Sequence, residues 1–153
     1  MPSPRIDSIH RWTDGDYVVT TDRARVDLDV VHRFLSEDSY WAVGRTREQQ
    51  ARANDASTCF AVLHEPTSAQ IGFARVLSDD VSFAWVADVF VLDGHRGQGV
   101  GVFLMQCVVE RFDHLARLVL GTRDAHGVYA KVGFAPLIRV ERWMERWNGP
   151  PNA

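Results

Sequence analysis

The sequence predicts a single α/β domain over residues 1–153, built on a mixed central sheet of about six to seven strands flanked by about four helices. Three observations predict it. Short apolar runs bounded by turn residues dominate the first half of the chain, as strands do. From Val81 onward the pattern alternates strand, helix, strand, helix and strand, which places helices on the faces of a partly parallel sheet. A chain of 153 residues with 46% apolar and 24% charged side chains is also the right size for one core.

The elements follow in order. Asp16 to Thr21 reads as a short strand, and Val26 to Leu35 has apolar spacing closer to a helix. Ser36 to Gly44 should be a loop holding Tyr40 and Trp41, before a polar helix to Asn54 with Thr46 at its N-cap. Thr58 to His64 and Gln70 to Leu77 form a hairpin about Pro66, Thr67 and Ser68. Val81 to Leu92 carries only Ser82 and Asp88 as polar residues, which predicts a central strand buried on both faces. Val100 to Phe112 predicts a nearly buried helix with one narrow polar stripe. Arg117 to Leu120 should be a strand, Asp124 to Lys131 a helix closed by Gly133, and Phe134 to Val140 a strand. The ends, residues 1–9 and 148–153, are Pro-rich or polar and are expected to fray.

Charge and composition exclude several classes. With 17 basic and 20 acidic residues the net charge is −3, and no basic stripe exists, so a nucleic-acid partner is not expected. Mean hydropathy is −0.17 and no apolar run approaches the roughly 20 residues of a spanning helix, so no membrane partner is expected either. The start, Met1 to Asp7, has no apolar signal core, which points to a cytoplasmic protein. Cys59 and Cys107 lie in apolar runs and read as buried thiols. His10, His32, His64, His95 and His114 show no metal-binding spacing, so no metal is expected. Monomer and homodimer both remain open.

The segment most informative about chemistry is Gly94-His95-Arg96-Gly97-Gln98-Gly99-Val100-Gly101, which joins a buried strand to a buried helix. Backbone N–H groups freed by glycines at a helix N-terminus converge on an anion, and the helix dipole adds to the attraction. The nucleoside-triphosphate loop pattern fails because Val100-Gly101 follows Gly99 in place of Lys-Ser/Thr. The dinucleotide fingerprint fails because position 102 is Val102.

What remains, Arg96-x-x-Gly99-x-Gly101 after Asp88-Val89-Phe90-Val91, resembles the GNAT family of N-acetyltransferases. Ala125-His126-Gly127-Val128-Tyr129-Ala130-Lys131-Val132-Gly133-Phe134 is similar to a second stretch of that family. Together they cover residues 82 to 134; the first eighty residues match only as expected elements. The family commonly carries Asn three residues before the matched alanine, and this chain has Thr122 there.

The resemblance implies acetyl-CoA as co-substrate, no metal, and direct transfer to the primary amine of a small molecule within a ternary complex. It implies that the backbone of Val89, Phe90 and Val91 pairs with the pantetheine arm. Arg96, Gly97, Gln98, Gly99, Val100, Gly101 and Val102 would hold the pyrophosphate, with His126 at the mouth as a cofactor contact or an ordinary exposed helix-end histidine. It makes Tyr129 the acid for the departing thiolate, and it places the acceptor near Tyr40, Trp41 and Arg45, with Trp85 on the wall. It also implies a closing strand near Arg142 to Met144. Asp88 is the ionisable residue of the buried strand; it is either a base toward the amine, an anchor for its ammonium form, or a brace where the strand bulges. The competing readings are a silent acyl-CoA-binding module and a peptide or protein N-acetyltransferase.

Overall fold

A hairpin begins the sheet: the mostly exposed Arg11–Asp14 (β1) turns through Gly15 at φ +56° into the largely buried Tyr17–Thr20 (β2). β1 went unread because its side chains are mostly solvent-facing and give no alternation. The computed structural model describes residues 8–150, so most of the frayed ends expected from the sequence lie outside the described residues.

Asp27 caps the next helix, Leu28–Arg33 (α1), by accepting from the N–H groups of Asp29 and Val30. That cap moves the helix start two residues past the expected Val26, and beyond Arg33 the coil widens through one π-helical turn, Phe34–Asp38. Arg47–Asp55 (α2) starts as the sequence predicts, at Thr46, with Gln49 completing a reciprocal capping box. Thr58–His64 (β3) and Ala69–Ser78 (β4) form the expected hairpin.

The next strand, Ala84–Val91 (β5), is shorter than predicted. Asp79 accepts from the N–H groups of Val81 and Ser82, which holds that stretch as a turn and leaves Val81 80% exposed. β5 is also not buried on both faces throughout: Trp85 is 41% exposed. Val100–Arg111 (α3) crosses back to a two-residue strand, Leu118–Val119 (β6), and His126–Ala130 (α4) follows.

The strand order is β1-β2-β3-β4-β5-β6, antiparallel except for the parallel β5–β6 pair across α3. Leu104, Met105 and Val108 of α3, with Phe112 at its C-cap, pack on Phe60, Ile71 and Val76 on one face of the sheet. On the other face Val31, Phe34 and Leu35 cover Phe73 and Phe90, with the Phe34 and Phe90 rings stacked 4.1 Å apart.

Two expected strands do not form. Phe134 to Val140 and Arg142 to Met144 stay outside the sheet, and the tail makes only one 3-10 turn, Val140–Arg142. Pro136 removes a ladder donor, and a two-residue β6 offers too short an edge to pair with. Ile138 and Val140 therefore remain 77% and 65% exposed, and the Arg117 guanidinium over Trp143, 5.0 Å from its ring centre, tethers the tail. The sheet has six strands among the described residues.

Candidate active site

Asp88 marks the point where β5 leaves its regular pleat. Its φ of +53° lies in the left-handed region, which Asp tolerates better than most side chains. Phe73 faces Phe90 and Arg75 faces Ala87, so Ala74 stands opposite both Asp88 and Val89. This is a β-bulge, and it re-aims one side chain. The carboxylate reaches the loop between α1 and α2, where Oδ1 accepts from Trp41 Nε1 at 2.9 Å. Oδ2 accepts from Arg45 Nη1 at 2.6 Å and from Arg75 Nε at 2.5 Å.

The Asp88 side chain is only 1% exposed. Burial alone would raise its pKa, but the Arg75 pair, the Arg45 charge and the Trp41 hydrogen bond together outweigh it and hold the carboxyl below its ordinary value. Around it, Arg45 Nη1 also donates to Gln50 Oε1 at 2.9 Å, and Arg75 Nη1 donates to Ser57 Oγ at 3.2 Å. Sequence reasoning missed Arg75, Gln50 and Ser57. A signal for Arg75 did exist: it is the one charged residue between Ala69 and Ser78, as Asp88 is within β5.

Outside this cluster lies a cleft of about 460 Å³, lined among others by Trp41, Gly44, Arg45, Gln49, Ala53 and Arg75. Trp41 meets the Tyr40 ring edge-on at 5.0 Å. The Tyr40 hydroxyl accepts from the Arg123 N–H at 3.0 Å, and the Arg123 guanidinium sits 3.8 Å from the centre of its ring. Tyr40 thus ties the α1–α2 loop to the loop that leads into α4. In that loop Thr122 Oγ1 accepts from the Ala125 N–H at 3.0 Å. Trp85 is not brought to the cleft; its ring lies against Gly121.

The sheet opens along the other edge of β5, starting before the bulge. The parallel ladder ends at Trp85↔Val119, so among the described residues β6 leaves the β5 edge from Val86 onward unpaired. That edge leads into a 3-10 turn, Asp93–His95, and then to Gly97 and Gly99 at φ +75° and +80°. Both conformations favour glycine. Arg96 folds back, with Nε donating to the Val91 carbonyl at 2.8 Å and Nη1 paired to Asp93 at 2.6 Å. Gln98 Oε1 accepts from the Tyr17 hydroxyl at 3.2 Å. Gly99 caps α3 with no side-chain acceptor, which leaves the first-turn N–H groups of Val100, Gly101 and Val102 for an outside partner. A Cβ on Gly101 would sit in ordinary contact, 3.8 Å from Val128 and 4.0 Å from Val91, so only a longer side chain would crowd the seam between β5 and α4.

Tyr129 lies on α4, half-buried, with its ring edge-on to Phe134 at 6.0 Å. Burial, with smaller contributions from Tyr40 and Asp124, pushes its phenol up to about 12. Its hydroxyl holds its proton at any ordinary pH and has no hydrogen-bond partner among the described residues. His126 is exposed at the start of the same helix. Both cysteines are buried free thiols, with Cys59 pushed up to about 11 and Cys107 to about 12, chiefly by burial. No group of three or more His, Cys, Asp or Glu among the described residues forms a metal site, and none of their helices is long and apolar enough to cross a membrane.

A mixed sheet that splays after a bulged strand, opening onto a glycine turn and an uncapped helix, defines an acetyltransferase fold. The chain belongs to the acetyltransferase (GNAT) family, whose profile matches residues 10–134. A Gibberella zeae protein named "Putative acetyltransferase" is 30% identical, over 78% of this chain and 79% of its own. A GNAT-family protein of Xanthomonas campestris pv. campestris, solved as a crystal structure, is 41% identical with a TM-score of 0.80, covering 86% of this chain and 92% of that one. A ribosomal-protein-S5-alanine acetyltransferase of Vibrio fischeri shares the fold at 12% identity and a TM-score of 0.63, over 82% of this chain and 83% of that one. The fold therefore does not decide the acceptor.

Proposed function

We propose that this acetyltransferase moves the acetyl group of acetyl-CoA to the primary amine of a small molecule, with both substrates bound together. The observation that carries the reading is the continuity of the open β5 edge with the uncapped N-terminus of α3. These features fit acetyl-CoA. The backbone of Val89, Phe90 and Val91 offers strand-like partners to an amide-bearing arm, and Gly97 to Val102 offer N–H groups to a pyrophosphate. When bound, acetyl-CoA supplies an acetyl group already activated as a thioester.

This chain's residues then have separate tasks. Tyr129 Oη keeps a proton available for the departing sulfur, since its raised pKa maintains the neutral phenol. Tyr40 and Trp41 wall the acceptor side. Asp88 acts as a positioning residue: three donors engage both its oxygens and 1% exposure removes it from the amine, so it orients Trp41, Arg45 and Arg75. A cleft lined by two arginines and no carboxylate favours a small acceptor over a basic peptide.

The test is a screen of small primary amines and peptides with acetyl-CoA, following thiol release and the mass of the acetylated product. Amine-dependent thiol release is expected. Coenzyme binding with no transfer to any acceptor would make the chain a binding module, and faster turnover of peptides would make it a protein acetyltransferase.

A further inference from the structure

The charge of the cleft bears on which amine is used. Arg45 and Arg75 both lean on Asp88, so two guanidinium groups share one carboxylate and one positive charge is left unbalanced. None of the cleft's lining residues is acidic. The guanidiniums are also not exhausted as donors. Arg45 uses Nη1 for both Asp88 and Gln50, and Arg75 uses Nε and Nη1 for Asp88 and Ser57. Among the described residues, Nε and Nη2 of Arg45 and Nη2 of Arg75 have no acceptor. A guanidinium offers five N–H donors in a rigid fork suited to a planar oxyanion.

Both side chains line the cleft, with 24% of Arg45 and 12% of Arg75 still reachable by solvent. Their orientation is fixed by Asp88, Gln50 and Ser57, which leave the remaining N–H donors without a partner among the described residues. A fork already immobilised loses little freedom when it binds. Of the remaining lining, Gln49 is polar, while Trp41, Ala42, Val43 and Ala53 are apolar and suit a hydrocarbon or aromatic portion of a ligand. Trp41 in turn abuts Tyr40, whose hydroxyl accepts from the Arg123 N–H in the loop that leads into α4, the helix carrying Tyr129.

We propose that the acceptor carries a carboxylate on the same small molecule as its amine, in the manner of an α-amino acid, and that the free edges of Arg45 and Arg75 receive it. The proposal rests on the acetyl-transfer reading and adds the acceptor's chemical class. One uncompensated positive charge matches one carboxylate. Neutral amines leave the guanidinium edges to water, and cationic polyamines meet like charge.

The test pairs a panel of α-amino acids with their decarboxylated amines at saturating acetyl-CoA, measuring thiol release and acetylated product. At least one amino acid should exceed its decarboxylated partner about tenfold or more in kcat/KM, the size of one charge-assisted hydrogen-bonded contact. Arg45→Lys keeps a positive charge beside Asp88 but loses the fork, so it should shrink that ratio severalfold by raising KM, with acetyl-CoA affinity and melting temperature retained. Equal or better turnover of the decarboxylated amines overturns the carboxylate while leaving acetyl transfer standing. If no amine in either series is acetylated although coenzyme A binds, the transfer reading fails. Calorimetry with N-acetylphenylalanine and N-acetylphenethylamine then decides the proposal alone: preference for the acid, lost in Arg45→Lys, upholds it, and equal or absent binding overturns it.

Discussion

Asp88 accepts a hydrogen bond from Arg75 on the neighbouring strand at the one place where β5 carries an extra residue opposite β4. The bulge and the ion pair depend on each other. The left-handed backbone at Asp88 turns its carboxylate toward Arg75, Arg45 and Trp41, and those three donors offset the cost of burying a charge on a strained residue.

Replacing that carboxylate should therefore cost stability. Asp88→Asn leaves two guanidiniums without their buried counter-charge, and removing one partner of a buried pair costs about 3–5 kcal/mol. The folded-state pKa of Asp88 is lowered, so its contribution is fully present above the unfolded-state pKa and is lost as pH falls through the folded value. Thermal melts of wild type and variant should differ most near neutral pH, and the gap should close only as pH falls below the ordinary carboxylate range, through the lowered folded value. A gap that persists unchanged into acid would show that the cost is steric rather than electrostatic.

The glycine turn should tolerate no bulk. Gly99→Val places a β-branched residue at φ +80°, and Gly101→Leu fills the seam toward Val128 and Val91. Each should weaken acetyl-CoA binding at least about tenfold by calorimetry, equivalent to about 1.4 kcal/mol. Wild-type affinity in a folded variant would remove the α3 N-terminus from the coenzyme site.

Tyr129→Phe removes one hydroxyl and keeps the ring against Phe134. Coenzyme affinity should survive, while turnover of a working acceptor falls by about 100-fold or more if chemistry limits the rate. With the phenol at about 12, the wild-type rate should show no loss through Tyr129 deprotonation below about pH 10. A change under about threefold without a shift in the limiting step would reject Tyr129 as the acid.

Both thiols should be inert in the native state. With Cys59 at about 11 and Cys107 at about 12, scarcely any thiolate exists at neutral pH, and both side chains are buried. A disulfide-exchange reagent should titrate two thiols in denaturant and almost none without it. Rapid native labelling at either position would contradict that burial.

Local chemistry made much of this protein legible in the sequence. Glycines at 97 and 99 announce a strand-to-helix turn because few other residues adopt their backbone, and the apolar run from Val100 announces a buried helix. The capping box at Thr46 and Gln49 is equally local, and α2 begins where those residues require. The helix expected from Asp124 is likewise local and forms over His126–Ala130, whereas Tyr129 was singled out by the family resemblance.

Only the tertiary structure decided what Asp88 meets. Its partners Trp41, Arg45 and Arg75 come from the α1–α2 loop and from β4, up to 47 positions away, and no spacing along the chain says which cation a buried carboxylate will find. The register of β4 on β5 decides it, through a bulge whose extra residue the apolar pattern of β5 conceals. The missing closing strands have the same origin. Residues 134–144 carry enough apolar side chains to read as strand, but a strand forms only where an edge accepts it, and β6 ends after two residues.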